Sequence, residues 1–323
     1  MLKFAHAIAV ALSAVVTLSP VSEPFAADYP TGRVTLVVPL PPGGSTDFVA
    51  RLLAQHLSTV WKQSVIVDNK PGGNAMLGPT FVAKSAPDGY TLLIGPPTIA
   101  TAPATMKVLP IDPLKDLSPI SQLVEMPNVI TINSALPFKT LRELIDYAKA
   151  NPGKLNSGTF AMGSLLTSSR FNAAAGIKLP TVGYRGEALM MAATAAGEVQ
   201  VGISTPVTAM ENLARGQIRA LAVTSDRRMA IFKDVPTTAE AGLPEFTTTA
   251  WFALLAPAGT PLELRKFISA EVAVFAKKED VAAKLQGAGL VPKASTPEEF
   301  GAFLERETKF AVETADAVGL EKQ

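Results

Sequence analysis

Short β-branched apolar runs alternate along this chain with stretches whose apolar residues recur every three or four positions. Arg33-Val34-Thr35-Leu36-Val37-Val38 predicts a buried strand, and Val49, Leu52, Leu53, Leu57 and Val60 then fall on one face of a helix reaching Trp61. Ser64-Val65-Ile66-Val67 predicts a second strand, and the turn Pro87-Asp88-Gly89 introduces a third at Tyr90-Thr91-Leu92-Leu93-Ile94. Thr140-x-x-Glu143, Thr237-x-x-Glu240 and Thr296-Pro297-x-Glu299 each have the form of a capping box and predict three helix starts. Asn151-Pro152-Gly153 stops the first of these helices. From Pro261 onward the chain reads as helices with short breaks, packed on the surface of one domain. Alternating strands and helices predict an α/β fold with largely parallel sheets.

Two strand–loop–helix units stand out. One covers residues 34–61. The other lies near 155–175, where Lys154-Leu155-Asn156-Ser157-Gly158-Thr159-Phe160 precedes Ala161-Met162-Gly163-Ser164. Two such units aiming a loop and a helix start at a shared crevice make the geometry of a cleft binder. A length of 323 residues fits two domains, and 48% hydrophobic against 18% charged residues excludes a disordered chain. A net charge of +1 without a basic run argues against nucleic acid as partner.

The N-terminus changes the picture of where the chain works. Met1-Leu2-Lys3 is followed by an apolar run from Phe4 to Leu18 and a small-residue exit at Ala26-Ala27. That is the form of a secretory signal peptide over residues 1–27, and the run is short for a membrane anchor. Cleavage would remove His6, leave His56 as the sole histidine, and release an exported chain beginning at residue 28.

Catalytic chemistry finds little to stand on. There is no cysteine and only two histidines in the whole sequence. His56 lies mid-helix and reads as a helix-flank residue rather than a base. Gly202-Ile203-Ser204-Thr205-Pro206 begins like a nucleophile elbow but lacks the closing glycine. No metal-ligand spacing appears, and Asp112, Lys115 and Asp116 read as a solvated surface. A non-enzymatic protein without cofactor or metal is the expectation.

The loops offer binding instead. A glycine-led helix start points unpaired N–H groups and the positive end of the helix dipole at whatever lies in front of it. Pro42-Gly43-Gly44-Ser45-Thr46-Asp47 reads either as an anion cradle or as a strand–helix turn in which Ser45 or Thr46 caps the helix. The Gly163-Ser164 loop carries the same two readings. Asp47 reads as a structural residue of the first turn. Carboxylate fits better than phosphate, since neither loop ends as a P-loop nor forms a dinucleotide fingerprint.

The whole chain beyond the leader resembles the periplasmic substrate-binding receptors of tripartite tricarboxylate transporters, the Bug receptors. The resemblance is carried by Tyr29-Pro30, by Val37-Val38-Pro39 with Gly43-Gly44-x-Thr46-Asp47-x-x-Ala50-Arg51, and by Asn69-Lys70-Pro71-Gly72. Ala86-Pro87-Asp88-Gly89-Tyr90-Thr91-Leu92, Pro127-Asn128-Val129, Asn151-Pro152-Gly153-Lys154-Leu155-Asn156 and Tyr184-Arg185-Gly186 continue it. Gly216-Gln217-Ile218-Arg219-Ala220-Leu221-Ala222-Val223-Thr224, Asp234-Val235-Pro236-Thr237 and the segment from Trp251 to Pro261 complete it. It implies a periplasmic-binding-protein-like α/β fold, with two α/β domains around a central ligand cleft linked by two crossover strands. Domain 1 would be 28–127 plus 251–323, and domain 2 would be 128–250. It implies a periplasmic monomer that captures a small carboxylate and delivers it to membrane permease subunits. Sensory presentation to a signalling partner is the alternative.

Carried over residue by residue, the resemblance implies that Pro41, Gly43, Gly44, Ser45 and Thr46 grip a ligand carboxylate from the first loop. Thr159, Phe160, Met162, Gly163, Ser164 and Thr167 would supply the other side. This chain departs from the family where the second loop usually reads Ser-Ala-Gly-Asn-Gly-Thr, where Thr167 is often His, and where Ser204 is usually Asp. Loss of that acid disfavours cationic and amino-acid ligands. Phe160 and Met162 read either as apolar wall suited to a flat apolar body or as residues facing the core. Arg185, beside Tyr184, is a candidate partner for a second carboxylate. The expected ligand is therefore an aromatic carboxylate such as terephthalate or a benzoate relative, ahead of citrate-like acids.

Overall fold

The computed structural model describes residues 29–323; the expected leader, His6 included, lies outside that range. The chain begins β1 (Val34–Val38), α1 (Ser45–Trp61), β2 (Val65–Asn69), α2 (Leu77–Ala83), β3 (Thr91–Gly95), α3 (Thr98–Thr105) and β4 (Leu117–Pro127). It continues β5 (Val129–Asn133), α4 (Leu141–Ala150), β6 (Ser157–Thr159), α5 (Met162–Ala175), β7 (Thr181–Gly183), α6 (Glu187–Ala196), β8 (Val201–Ser204), α7 (Pro206–Ala214) and β9 (Ile218–Val223). It ends β10 (Thr249–Pro257), α8 (Leu262–Lys277), α9 (Glu279–Gly287), β11 (Val291–Pro292) and α10 (Pro297–Ala317).

Two sheets form, one ordered β11-β4-β10-β3-β1-β2 and the other β7-β6-β8-β5-β9. They are mixed rather than largely parallel. β1 pairs with β2 and β3, and β6 with β7 and β8, in parallel, whereas the ladders made by β4, β5 and β10 are antiparallel. The reason is the crossover: a strand that leaves one sheet to enter the other has to run back against its neighbours. Asn128 alone joins β4 to β5, and the segment 224–248 joins β9 to β10.

Both faces of the first sheet are covered, so its strands show two apolar sets of period two. Val34, Leu36 and Val38 of β1, with Phe252 and Leu254 of β10, pack under α1 and α8 against Leu53, Leu57, Ile268 and Phe275. Val37, Trp251, Ala253 and Leu255 point the other way, to Ile99 of α3 and to Phe300 and Leu304 of α10. In the second sheet Ile130, Ile132 and Val201 meet Leu144 of α4 and Phe171 of α5, while Met190 and Ala209 close its other face.

The capping boxes at Thr140 and Thr296 form as expected. Thr237 and Glu240 exchange the same two hydrogen bonds, at 2.8 and 3.1 Å, but only a turn follows. Gly242, at φ +88°, and Pro244 two residues later deny the helix a second turn. Asp112 and Lys115 form a surface ion pair at 2.9 Å. No helix of the described residues is long and apolar enough to cross a membrane.

At Thr296 the hydroxyl accepts from the Glu299 N–H at 3.1 Å and the Glu299 carboxylate accepts from the Thr296 N–H at 2.8 Å. Thr296→Ala is expected to lower stability by about 1 kcal/mol, read as a lower urea midpoint with an unchanged slope.

Candidate functional site

Four strands end at one place. β1, β3, β6 and β8 each run into a helix start, and all four starts border a cavity of about 120 Å³ between the two sheets. Leu40 and Thr46 come from the β1–α1 junction, and Pro96, Pro97, Thr98 and Thr101 from β3–α3. Phe160, Ala161, Gly163 and Ser164 come from β6–α5, and Ile203 and Thr205 from β8–α7. Ligand crevices lie outside the carboxyl ends of strands in open α/β sheets, and the helix N-termini that border this one bring the positive ends of their dipoles to a wall without a lysine. The crossover forms its floor. Asn128 donates from its backbone to Thr224 Oγ1 at 2.8 Å and from Nδ2 to Thr248 Oγ1 at 2.9 Å, and Thr224 donates to the Thr248 carbonyl at 2.6 Å. Asn128 and Thr248 also face the cavity.

The two sides touch. Ser45 of α1 shares a hydrogen bond with Thr205 across the crevice and donates to Glu187 Oε2 at 3.4 Å. α5 lies against α3 at Gly163, where a Cβ would stand in ordinary contact, 3.4 Å from Thr101 Oγ1 and 3.7 Å from the Thr98 nitrogen. Gly186 meets Pro41 more tightly, 3.0 Å from a would-be Cβ to Pro41 Cγ, so a side chain there would need Pro41 to shift.

Of the residues singled out in the sequence, Thr46, Phe160, Gly163, Ser164 and Thr167 line the cavity. Pro41, Gly43, Gly44, Ser45, Thr159, Met162, Tyr184, Arg185 and Ser204 stand off its wall, each for a physical reason. Gly43 is exposed and its N–H is used by Asp47 Oδ2 at 3.1 Å. Gly44, half-buried, is the N-cap of α1, and Ser45 and Pro41 meet the opposite lobe rather than the void. Thr159 is buried at the end of β6 and Met162 at the start of α5. Tyr184 packs against the apolar cluster around Met190. Arg185 is exposed, and Ser204 is buried with its hydroxyl unpartnered. Ser164 caps its own helix, its hydroxyl accepting from the Phe160 and Ala161 N–H groups at 2.8 and 3.1 Å.

Asp47 has the structural role expected of it. Burial works against its charge, but hydrogen bonds from Arg51 at 2.8 Å, from Gly43 and from Asn69 outweigh that and hold its carboxyl below the usual range. It braces the first loop. His56 packs inside the core against Phe275, ring centroids 5.6 Å apart, away from the crevice, and burial pulls its pKa down.

Position 204 carries no acid, but Glu187 of α6 and Glu307 of α10 both reach the cavity wall. Glu187 is 6% exposed; its Oε1 accepts from the Thr205 N–H at 2.5 Å. Burial pushes its carboxyl pKa up, and hydrogen bonds from Thr205, Thr208 and Ser45 only partly oppose this. Glu307, half-buried on α10 between Leu304 and Ala311, accepts from Trp251 Nε1 at 3.1 Å and is also pushed up by burial. Trp251, Phe252 and Phe310 add aromatic wall, Thr101 Oγ1 is an unpartnered buried hydroxyl, and Arg170 of α5 supplies a cation. Sequence reasoning missed these. Signals existed for two: Arg170 lies seven residues after Gly163 on the same helical face, and Glu307 interrupts an apolar stripe.

The family model for the tripartite tricarboxylate transporter family receptor matches residues 49–309. The chain belongs to this family. Its members are non-enzymatic solute-binding receptors. Protein BugT of Bordetella pertussis is 33% identical over 289 residues, 88% of this chain and 89% of its own. Among solved structures, Rpa4515 of R. palustris with adipate superposes with a TM-score of 0.89 at 34% identity, covering 92% of this chain and all of that one. MatC from Rhodopseudomonas palustris with bound malate gives 0.82 at 30%, covering 89% and 100%. The periplasmic binding protein BugD gives 0.86 at 28%, covering 91% and 100%. The receptor fold is therefore of the periplasmic-binding-protein type.

Glu187 titrates near 4.3 in an unfolded chain and higher in the folded one, so the native state holds the extra proton between those values. Its stabilising contribution is complete below the unfolded value and is lost as pH rises through the folded one. The stability difference between wild type and Glu187→Gln is therefore expected to move toward the variant as pH rises from about 4. Urea midpoints across pH check this, and a pH-independent difference contradicts a protonated carboxyl at this position.

Proposed function

We propose that this protein is an exported, monomeric receptor that closes two lobes, residues 28–127 with 251–323 and residues 128–250, over a small carboxylate and delivers it to the membrane permease of a tripartite transporter. The favoured ligand is an aromatic carboxylate such as terephthalate or a benzoate relative. The observation that carries this reading is the convergence of four helix N-termini on one small cavity, which meets an anion with fixed dipoles and hydroxyls rather than with a cluster of cations. The adipate and malate named with two similar structures agree with a small carboxylate.

Phe160, Trp251, Phe252 and Phe310, with Pro96, Pro97 and Leu166, support an aromatic body, because flat apolar rings need apolar faces on both sides. A citrate-like tricarboxylate would place three negative charges beside one arginine and two carboxyl groups, an unfavourable balance in a buried site. Closure about the Asn128–Thr224–Thr248 stitch would bring Ser45 to Thr205 and Glu187, giving the loaded form a shape a permease can recognise.

Titration calorimetry and thermal shift against terephthalate, protocatechuate, citrate and glutamate test the reading. An aromatic acid is expected to bind and raise the melting temperature; glutamate binding with no aromatic acid binding would overturn the ligand class. Gly163→Leu is expected to wedge α5 from α3 and weaken ligand binding more than tenfold while the unliganded protein still unfolds cooperatively. Unchanged affinity in that variant would move the site elsewhere.

A further inference from the structure

Arg170 is the one cationic side chain on the cavity wall among the described residues. It shares a face of α5 with Gly163 and Thr167, at positions i+7, i and i+4. A rise of 1.5 Å per residue puts its Cα about 10 Å along the axis from Gly163, and long helical side chains lean back toward the N-terminus. Arg170 therefore borders the cavity from further along α5, its Cα roughly the length of a small diacid beyond Gly163 and its guanidinium at the Thr247 and Phe310 edge.

Its donors are largely unspent. Nη2 donates to the Thr247 carbonyl at 3.3 Å, and the guanidinium carbon lies 5.1 Å from the Phe310 ring centroid, which holds its plane. A guanidinium carries five N–H donors in a rigid fork matched to a carboxylate. Glu307 lines the same wall but forms no ion pair with Arg170; its Oε2 is turned to Trp251. A half-buried cation without a counter-ion is unfavourable, and burial pulls its pKa down with only partial help from Glu307. An anion arriving from solution would supply what the protein itself withholds.

We infer that Arg170 is the specificity-determining residue of this cavity: it takes the second anionic group of a ligand whose first carboxylate sits at the helix starts, so the protein selects dianions over monoanions of the same body. The inference rests on the carboxylate reading above and holds for an aromatic or an aliphatic body alike. It replaces Arg185, which faces solvent, as the partner of a second carboxylate.

Calorimetric titration at one pH with matched pairs reads it: terephthalate against benzoate, and adipate against hexanoate. The wild type is expected to bind at least one dicarboxylate tenfold or more tightly than its monocarboxylate partner. Arg170→Gln should weaken that dicarboxylate tenfold or more and the monocarboxylate less than twofold, with Arg170→Lys in between. Should Arg170→Gln fail to fold, the wild-type pairs and the lysine variant carry the same comparison. Equal affinities within each pair, or equal losses for both members, overturn the assignment while leaving a carboxylate receptor intact. Tighter binding of 4-(aminomethyl)benzoate than of terephthalate also overturns it, by giving that pole to Glu307. If none of the four acids binds, the carboxylate reading fails and the assignment falls with it.

Discussion

Taking charge out of water is the constraint from which the cleft of this receptor follows. An anion taken into a cleft loses its hydration shell, and a protein that holds it has to offer replacements that are already in place. The groups this cavity presents are backbone dipoles at the starts of α1, α3, α5 and α7, with the hydroxyls of Thr46, Thr98, Thr101 and Thr205. The same cost acts on the protein's own groups. Glu187 and Glu307 are pushed toward their neutral forms by burial, Asp47 keeps its charge because Arg51, Asn69 and Gly43 surround it, and Arg170 stays short of a partner. Four ionisable residues thus have three different fates set by what each one meets.

The frame that holds these groups is rigid where it must be and thin where it can move. Each sheet has helices on both faces, so the strand ends that carry the helix starts are fixed by apolar packing on either side. Between the sheets there are only the single residue Asn128 and the segment 224–248, tied by threonine hydroxyls. Those ties run along the crossover and form the cavity floor.

Much of this was legible from residue patterns. Period-two runs located β1, β2 and β3, helical spacing located α1, and capping boxes located α4 and α10, because these signals depend on neighbours within a turn or a strand. Thr237-x-x-Glu240 carried the same local signal and made the same hydrogen bonds, yet Gly242 and Pro244 left it a turn. The glycine-led starts of α1 and α5 stood out in the sequence as candidate binding loops; the starts of α3 and α7, led by Pro96-Pro97 and by Thr205-Pro206, did not, since prolines give no such sign.

By itself the sequence determined the α/β class, the family, and the kind of ligand chemistry, because backbone amides at helix starts follow from local pattern and because residues absent from a chain exclude chemistries outright. Only the tertiary structure decided which side chains share the void. Arg170, Glu187, Trp251 and Glu307 come from four separate elements spread over 138 positions, and no periodicity links α5, α6, β10 and α10. It also decided that Arg185 is exposed while Arg170 is half-buried on the cavity wall, and that Glu187 and Glu307 reach that wall. Burial and charge balance are properties of a closed volume, and a volume exists only once the chain has folded around it.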